Sequence, residues 1–146
     1  MILKVKKLHP DALLPEKAYQ DDLAYDLFAL QENIIKPLET KKISTGIAIE
    51  PPVGYGSLIK ERSSLALKGI KLSGGVIDGG YRGEIVIIAT NFGDKVFTIL
   101  SKMKIGQLMI TKIIDLEIEE IKELDSTVRG SKGFGSTGNY STSNQF

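Results

Sequence analysis

The apolar residues of this chain come in short, often β-branched runs, and glycine or proline turns separate one run from the next. "ILKVKKL", "KISTGIAIEPP", "YGSLIKE", "EIVIIATNF", "KVFTIL" and "IGQLMITKII" follow one another, punctuated by "PPVGYG", "SGG", "DGG" and "NFGD". Runs this short that alternate apolar and polar residues, or are rich in β-branched ones, read as strands. "EIVIIATNF" is apolar enough to suggest a strand buried on both faces. Many short strands at close spacing predict an all-β sandwich, barrel or jelly roll. Helical signal is confined to "SSLALKG", where serine can cap the free N–H groups and Gly69 can end the helix. "LEIEEIKELD" fits strand or helix equally.

Composition narrows the chemistry. A length of 146 residues suits one compact domain, and 42% apolar residues are enough for a core. The net charge of +1 argues against a broad nucleic-acid surface, which needs a basic excess or patch. There are no cysteines, so there is no disulfide, thiolate nucleophile or cysteine metal site. His9 is the only histidine, which disfavours a histidine triad or zinc site. The N-terminus is too short and too charged for a signal peptide, and no apolar run reaches the ~18 residues that span a bilayer. The expectation is a cytoplasmic protein with no membrane or nucleic-acid partner.

Five stretches carry residues a core does not require. "LIKERSSLALKG" brings Arg62, Ser63 and Ser64 to the start of a short helix. Free N–H groups, a guanidinium and hydroxyls there suit a phosphate, although a capped surface helix reads the same way. "SGGVIDGGYRGE" puts Asp78 at the tip or edge of a hairpin with Tyr81 close by. A carboxylate there can serve as a base toward water, and "DGG" is equally an ordinary turn. Asp26 interrupts the apolar "LAYDLFAL" and needs a partner, a metal-bound water or exposure. Gln107 interrupts the apolar strand pattern of "KIGQLMI", and a buried amide there is structural or ligand-facing. The tail "RGSKGFGSTGNYSTSNQF", residues 129–146, holds no aliphatic residue yet carries Arg129 and Phe134. A phenylalanine can stack on a nucleobase, while Arg129, Ser136, Thr137 and glycine-rich backbone can hold phosphate. The plain alternative is a solvated linker.

In this order the five stretches resemble the motifs of the trimeric dUTPase family: "AYDL", "RSSLA", "GGVIDGGYRGE", "KIGQL" and "RGSKGFGSTG". The resemblance implies a distorted jelly-roll-like β-barrel with one short helix and a flexible C-terminal tail, assembled as a homotrimer with shared active sites. It implies hydrolysis of dUTP to dUMP and pyrophosphate with Mg2+, which keeps uracil out of DNA and supplies dUMP for thymidylate synthesis. By the same likeness Asp78 activates the water that attacks the α-phosphorus. Tyr81 lies under the deoxyribose, and backbone at Gly75, Val76 and Ile77 in a hairpin over residues 70–78 reads uracil. Asp26 holds the metal through its waters. Arg62, Ser63, Ser64 and Gln107 meet the phosphates. Arg129, Ser136 and Thr137 clamp the β- and γ-phosphates, Phe134 covers the uracil, and Gly135 also belongs to the substrate-binding set. The domain expectation is a barrel over 1–128 and an arm over 129–146, its motif at 129–138.

The chain departs from the usual motifs at Ala24, Ser64, Gly80, Lys104, Gly106 and Lys132, and none of these removes a reacting group. The related dCTP deaminases place a catalytic glutamate where this chain has Ile88, and isoleucine cannot transfer a proton.

Overall fold

A computed structural model describes residues 1–133. Residues Met1–Ile114 form one compact unit, and the second begins at Asp115. The first holds eleven strands and one helix: β1 (Lys4–Lys7), β2 (Tyr25–Phe28), β3 (Asn33–Ile35), β4 (Thr40–Ser44), β5 (Ile47–Glu50), β6 (Tyr55–Lys60), α1 (Ser63–Ala66), β7 (Ile70–Ser73), β8 (Val76–Ile77), β9 (Val86–Asn91), β10 (Phe97–Ile99) and β11 (Lys104–Lys112). This is the nearly all-β architecture with one short helix that the punctuated runs predict.

Every pairing is antiparallel. Four strands pair in the order β2-β11-β6-β8 and three in the order β4-β9-β7, while β1-β5 and β10-β3 form two-stranded ribbons. Among the described residues, hydrogen bonding therefore does not close the strands into a ring. Burial unites them instead, because Leu27, Ile35, Ile43, Ile87, Ile105 and Leu108, contributed by different sheets, pack into one core.

Three local expectations change. "KISTGIAIE" is two strands in different sheets, broken at Gly46, whose φ of +70° a side chain rarely adopts. A Cβ on Gly46 would also lie 2.9 Å from that of Ala12. β9 is not enclosed on both faces: Ile87, Ala89 and Asn91 are buried, while Val86, Ile88 and Thr90 are only partly covered. The helix forms, but Arg62 is its N-cap and no side chain caps it. Its end is as expected, with Gly69 at φ +79°.

One buried polar residue shows how a turn is fastened. Asn91 donates to Ile35 O at 3.0 Å and to Lys95 O at 2.8 Å, and its Oδ1 accepts from Gly93 N at 2.9 Å. A buried amide must be satisfied, and here its partners hold the "NFGD" turn shut. In the second unit, the described residues 115–133 form no strand or helix, so "LEIEEIKELD" takes up neither option.

Candidate active site

Asp78 is positioned by a strand too short to stand alone. β8 pairs with β6 through Ile77↔Ser57 and Val76↔Leu58. Just before it, Ile59 N donates to Gly75 O at 2.7 Å. Only glycine fits at Gly75, because a Cβ there would run into Ile59 O. The preceding β7 pairs with β9, not with β8. The stretch 70–78 is thus a crossover between two sheets rather than the expected hairpin, turned by Gly74 at φ +64°. Asp78 then opens a turn in which Tyr81 N donates to Asp78 O at 3.0 Å.

These residues surround a pocket of about 200 Å3 lined by Val76, Ile77, Asp78, Tyr81, Glu84 and Val86. Asp78 is exposed, with no side-chain hydrogen bond or ion pair among the described residues. Tyr81 is 46% exposed, and its hydroxyl donates to Glu84 O at 3.2 Å. The pocket is small and apolar on its strand side, and of its two carboxylates Asp78 is exposed while Glu84 is partly buried and accepts from Gly46 N at 2.8 Å.

A second group gathers at the other end of β6. Asp26, on β2, stands opposite Gln107 on β11, and Gln107 stands opposite Lys60 on β6. Asp26 is only 7% exposed. A carboxylate taken that far from water needs cations or donors. Lys104 Nζ lies 2.9 Å from its Oδ2 and Arg62 Nε lies 3.2 Å from its Oδ1. Among the described residues, Oδ1 nonetheless accepts no hydrogen bond. Lys104 also reaches Glu16 Oε1 at 3.2 Å, and Arg62 Nη1 donates to Lys104 O at 3.4 Å. The bonds to Asp26 and then Glu16 raise the pKa of Lys104 above its ordinary value of 10.5. Asp26, Arg62 and Gln107 line a groove of about 320 Å3 with Tyr19, Asp22 and Met109. Gln107 is half-buried in that groove rather than enclosed in the core. Ser63 and Ser64 are exposed at the start of α1.

The structure thus brings Asp78 together with Val76, Ile77 and Tyr81, and Asp26 together with Arg62 and Gln107. It does not bring the two groups to one place. Asp78 follows Ile77 and so lies beside Gly56, whereas Arg62 lies past the opposite end of β6. Six residues of extended chain from Gly56 to Arg62 span about 20 Å. Arg129 belongs to the second unit, where its Nε donates to Lys132 O at 3.1 Å. Phe134, Gly135, Ser136 and Thr137 lie outside the described residues. Lys104 and Glu16 were not singled out as site residues. Lys104 was visible only as a departure from a motif, and Glu16 carried no signal because a surface glutamate is commonplace.

A family profile described as dUTPase matches residues 11–138. The chain belongs to the dUTPase family. It is 47% identical over 139 residues to the deoxyuridine 5'-triphosphate nucleotidohydrolase of Clostridioides difficile, covering 93% of this chain and 97% of that protein. It is 45% identical over 141 residues to the enzyme of the same name from Trichodesmium erythraeum, covering 94% and 99%. Among solved structures it resembles the dUTPase of Staphylococcus bacteriophage 80alpha with dUPNHPP, at 30% identity and a TM-score of 0.87, covering 94% of this chain and 98% of that one. A mutant dUTPase from phage phi11 of S. aureus, described as coordinating a structural Mg(II) ion, matches at 25% identity and a TM-score of 0.80, covering 86% and 100%. Membership in the dUTPase family agrees with the nearly all-β fold and with the order of the five motifs along the chain. No helix among the described residues is long and apolar enough to cross a membrane.

Proposed function

We propose that this chain hydrolyses dUTP to dUMP and pyrophosphate through attack of an Asp78-activated water on the α-phosphorus. The observation that carries this reading is the pocket that gathers Asp78, Tyr81, Val76 and Ile77. It pairs the exposed carboxylate of Asp78, without an ion-pair partner among the described residues, with an aromatic ring and an apolar wall. That combination suits a water beside a nucleoside: the ring packs under the sugar and the carboxylate accepts the water's proton. Backbone at Gly75, Val76 and Ile77 would read the uracil edge. Arg62, Ser63, Ser64 and Gln107 would meet the phosphates, and Arg129 with the tail residues Phe134, Gly135, Ser136 and Thr137 would close over them. Most of the rate would then come from positioning and charge stabilisation of a highly charged substrate.

The separation of about 20 Å between Asp78 and Arg62 along β6 favours a shared site. A triphosphate held at Arg62 and Gln107 of one copy would be served by Asp78 of another, as a homotrimer with shared active sites would provide.

The donor set sets limits on a metal. Among the described residues no group of three or more His, Cys, Asp or Glu side chains could hold an ion. The groove offers Asp26, whose Oδ1 has no hydrogen-bond donor among the described residues. That fits a hard cation held chiefly by phosphate oxygens and waters, with Asp26 as an acceptor for such a water. Mg2+, when bound, would offset charge on the phosphates. The protein's own cations, Arg62 and Lys104, already balance Asp26, so Asp26 would orient rather than bind the ion tightly. Acting on the free nucleotide pool, the enzyme would work in the cytoplasm, limit uracil in DNA and supply dUMP.

The test is pyrophosphate release from dUTP, UTP, dCTP and dTTP by the purified chain with Mg2+. Rapid turnover of dUTP alone is expected. Equal turnover of all four, or ammonia release from dCTP, would overturn the reading.

A further inference from the structure

The turn that carries Asp78 and Tyr81 is held by a side chain with no part in the chemistry above. Arg82 Nη1 donates to Gly79 O at 2.8 Å and to Tyr81 O at 2.9 Å. Both carbonyls belong to the segment between Asp78 and the ring of Tyr81. One nitrogen thus joins the carbonyls on either side of Gly80, a residue whose backbone would otherwise have wide conformational freedom. On its other side Arg82 Nε lies 4.0 Å from Glu50 Oε2, and Glu50 accepts from Lys4 Nζ at 2.6 Å. The guanidinium is therefore tethered to β5, and through Lys4 to β1.

The ring of Tyr81 is seated from below as well. A Cβ on Gly83 would fall 2.5 Å from Tyr81 Cζ, so the ring fills the space glycine leaves. The loop continues into a fixed frame: Glu84 Oε1 accepts from Gly46 N at 2.8 Å, and Ile85 N donates to Ile47 O at 2.8 Å. Residues 83–85 are anchored on β5 and its approach, while the backbone at 79–81 is held by the Tyr81 N–Asp78 O bond and by the two bonds from Arg82.

Arg82 and Glu50 are both substantially exposed, so their contacts contribute little to global stability. Their value lies in geometry, because charge-assisted bonds to carbonyls are short and directional. We propose that Arg82, anchored by Glu50, is a positioning residue that sets the seat of Tyr81 against the sugar and so sharpens selection of a deoxyribose over a ribose. This rests on the dUTPase reading above, in which Tyr81 packs under the sugar.

The experiment compares kcat and KM for dUTP and UTP in the wild-type chain, Arg82→Met, Arg82→Lys and Glu50→Gln, with a thermal midpoint for each. Wild-type turnover of dUTP is measured first, and its absence sinks the dUTPase reading itself. Given that turnover, Arg82→Met should narrow the dUTP/UTP ratio of kcat/KM by about tenfold, the loss of one well-placed charge-assisted bond, with the midpoint nearly unchanged. Arg82→Lys should recover part of the ratio, and Glu50→Gln should show a smaller narrowing. An unchanged ratio in Arg82→Met, whether both substrates keep their rates or fall together, overturns the positioning role and leaves the dUTPase reading standing. If Arg82→Met does not fold, the ratio in Arg82→Lys and Glu50→Gln decides in the same way.

Discussion

Replacing Lys104 by methionine removes one of two cations that hold a nearly buried carboxylate. Lys104 Nζ lies 2.9 Å from Asp26 Oδ2 and Arg62 Nε lies 3.2 Å from Oδ1. Three features of the site keep the effect modest. The lysine side chain is 32% exposed, so solvent screens it. Arg62 stays beside Asp26 in the variant. The ammonium's desolvation cost disappears with it. The thermal midpoint should fall by about 2–8 °C. In an Asp26→Asn background, where the carboxylate is already neutral, the same replacement should cost clearly less. The sign with pH follows from Lys104, whose folded pKa is raised by Asp26 first and Glu16 second. A cation raised above its ordinary 10.5 contributes fully below that value and loses its contribution as pH rises through the folded pKa. The gap between wild type and variant should therefore hold steady through neutral pH and close in alkali. Urea unfolding of the four proteins of the cycle, at pH 7 and above pH ~10.5, reads both effects. Strict additivity in the cycle, or a gap indifferent to alkali, would refute the ion-pair account.

Other outcomes follow from the same geometry. Asp78→Asn should fold with a stability change within about 0.5 kcal/mol, since the side chain is exposed and unpaired among the described residues. Its pyrophosphate release should drop by about 10²–10⁴, and near-wild-type turnover would remove Asp78 from the role of base. Gly75→Ala pushes a methyl group into Ile59 O, so urea titration should show a loss of about 1–3 kcal/mol, consistent with overpacking; an unchanged midpoint would mean the crossover can shift. Deleting residues 129–146 should leave the melting of the compact unit, Met1–Ile114, intact and nearly abolish dUTP turnover, and a truncated chain with normal kinetics would make the tail a linker.

How much of this was legible beforehand depends on the kind of signal. Strand identity was readable because the runs are β-branched and bounded by turn residues, a local property. β3 escaped notice, since three residues, Asn33–Ile35, make no periodic pattern. The fate of "KISTGIAIE" was not readable either. Glycine fits the middle of a strand or a break between two, and only the φ of +70° at Gly46, with Ala12 and Leu30 packed against it, makes the break. Likewise "DGG" announced a turn after Asp78, but nothing local told β7 and β8 to join different sheets.

The site divides in the same way. Residue types and their order along the chain, Asp78 with Tyr81, Arg62 with its serines, Gln107 in its strand, determined which chemistry was available and which family the chain resembles. Length and composition determined a single apolar core without cysteine or histidine chemistry. Only the tertiary structure decided that Asp26 is balanced by Lys104 and Arg62, that Glu16 is drawn into that cluster, and that Arg82 bridges the carbonyls of the Asp78 turn. It also decided that Asp78 and Arg62 lie at opposite ends of β6. The physical reason is one of range. Turn chemistry and strand propensity act within a few residues, whereas an ion pair or a shared pocket depends on sheet registers set by packing across the whole core.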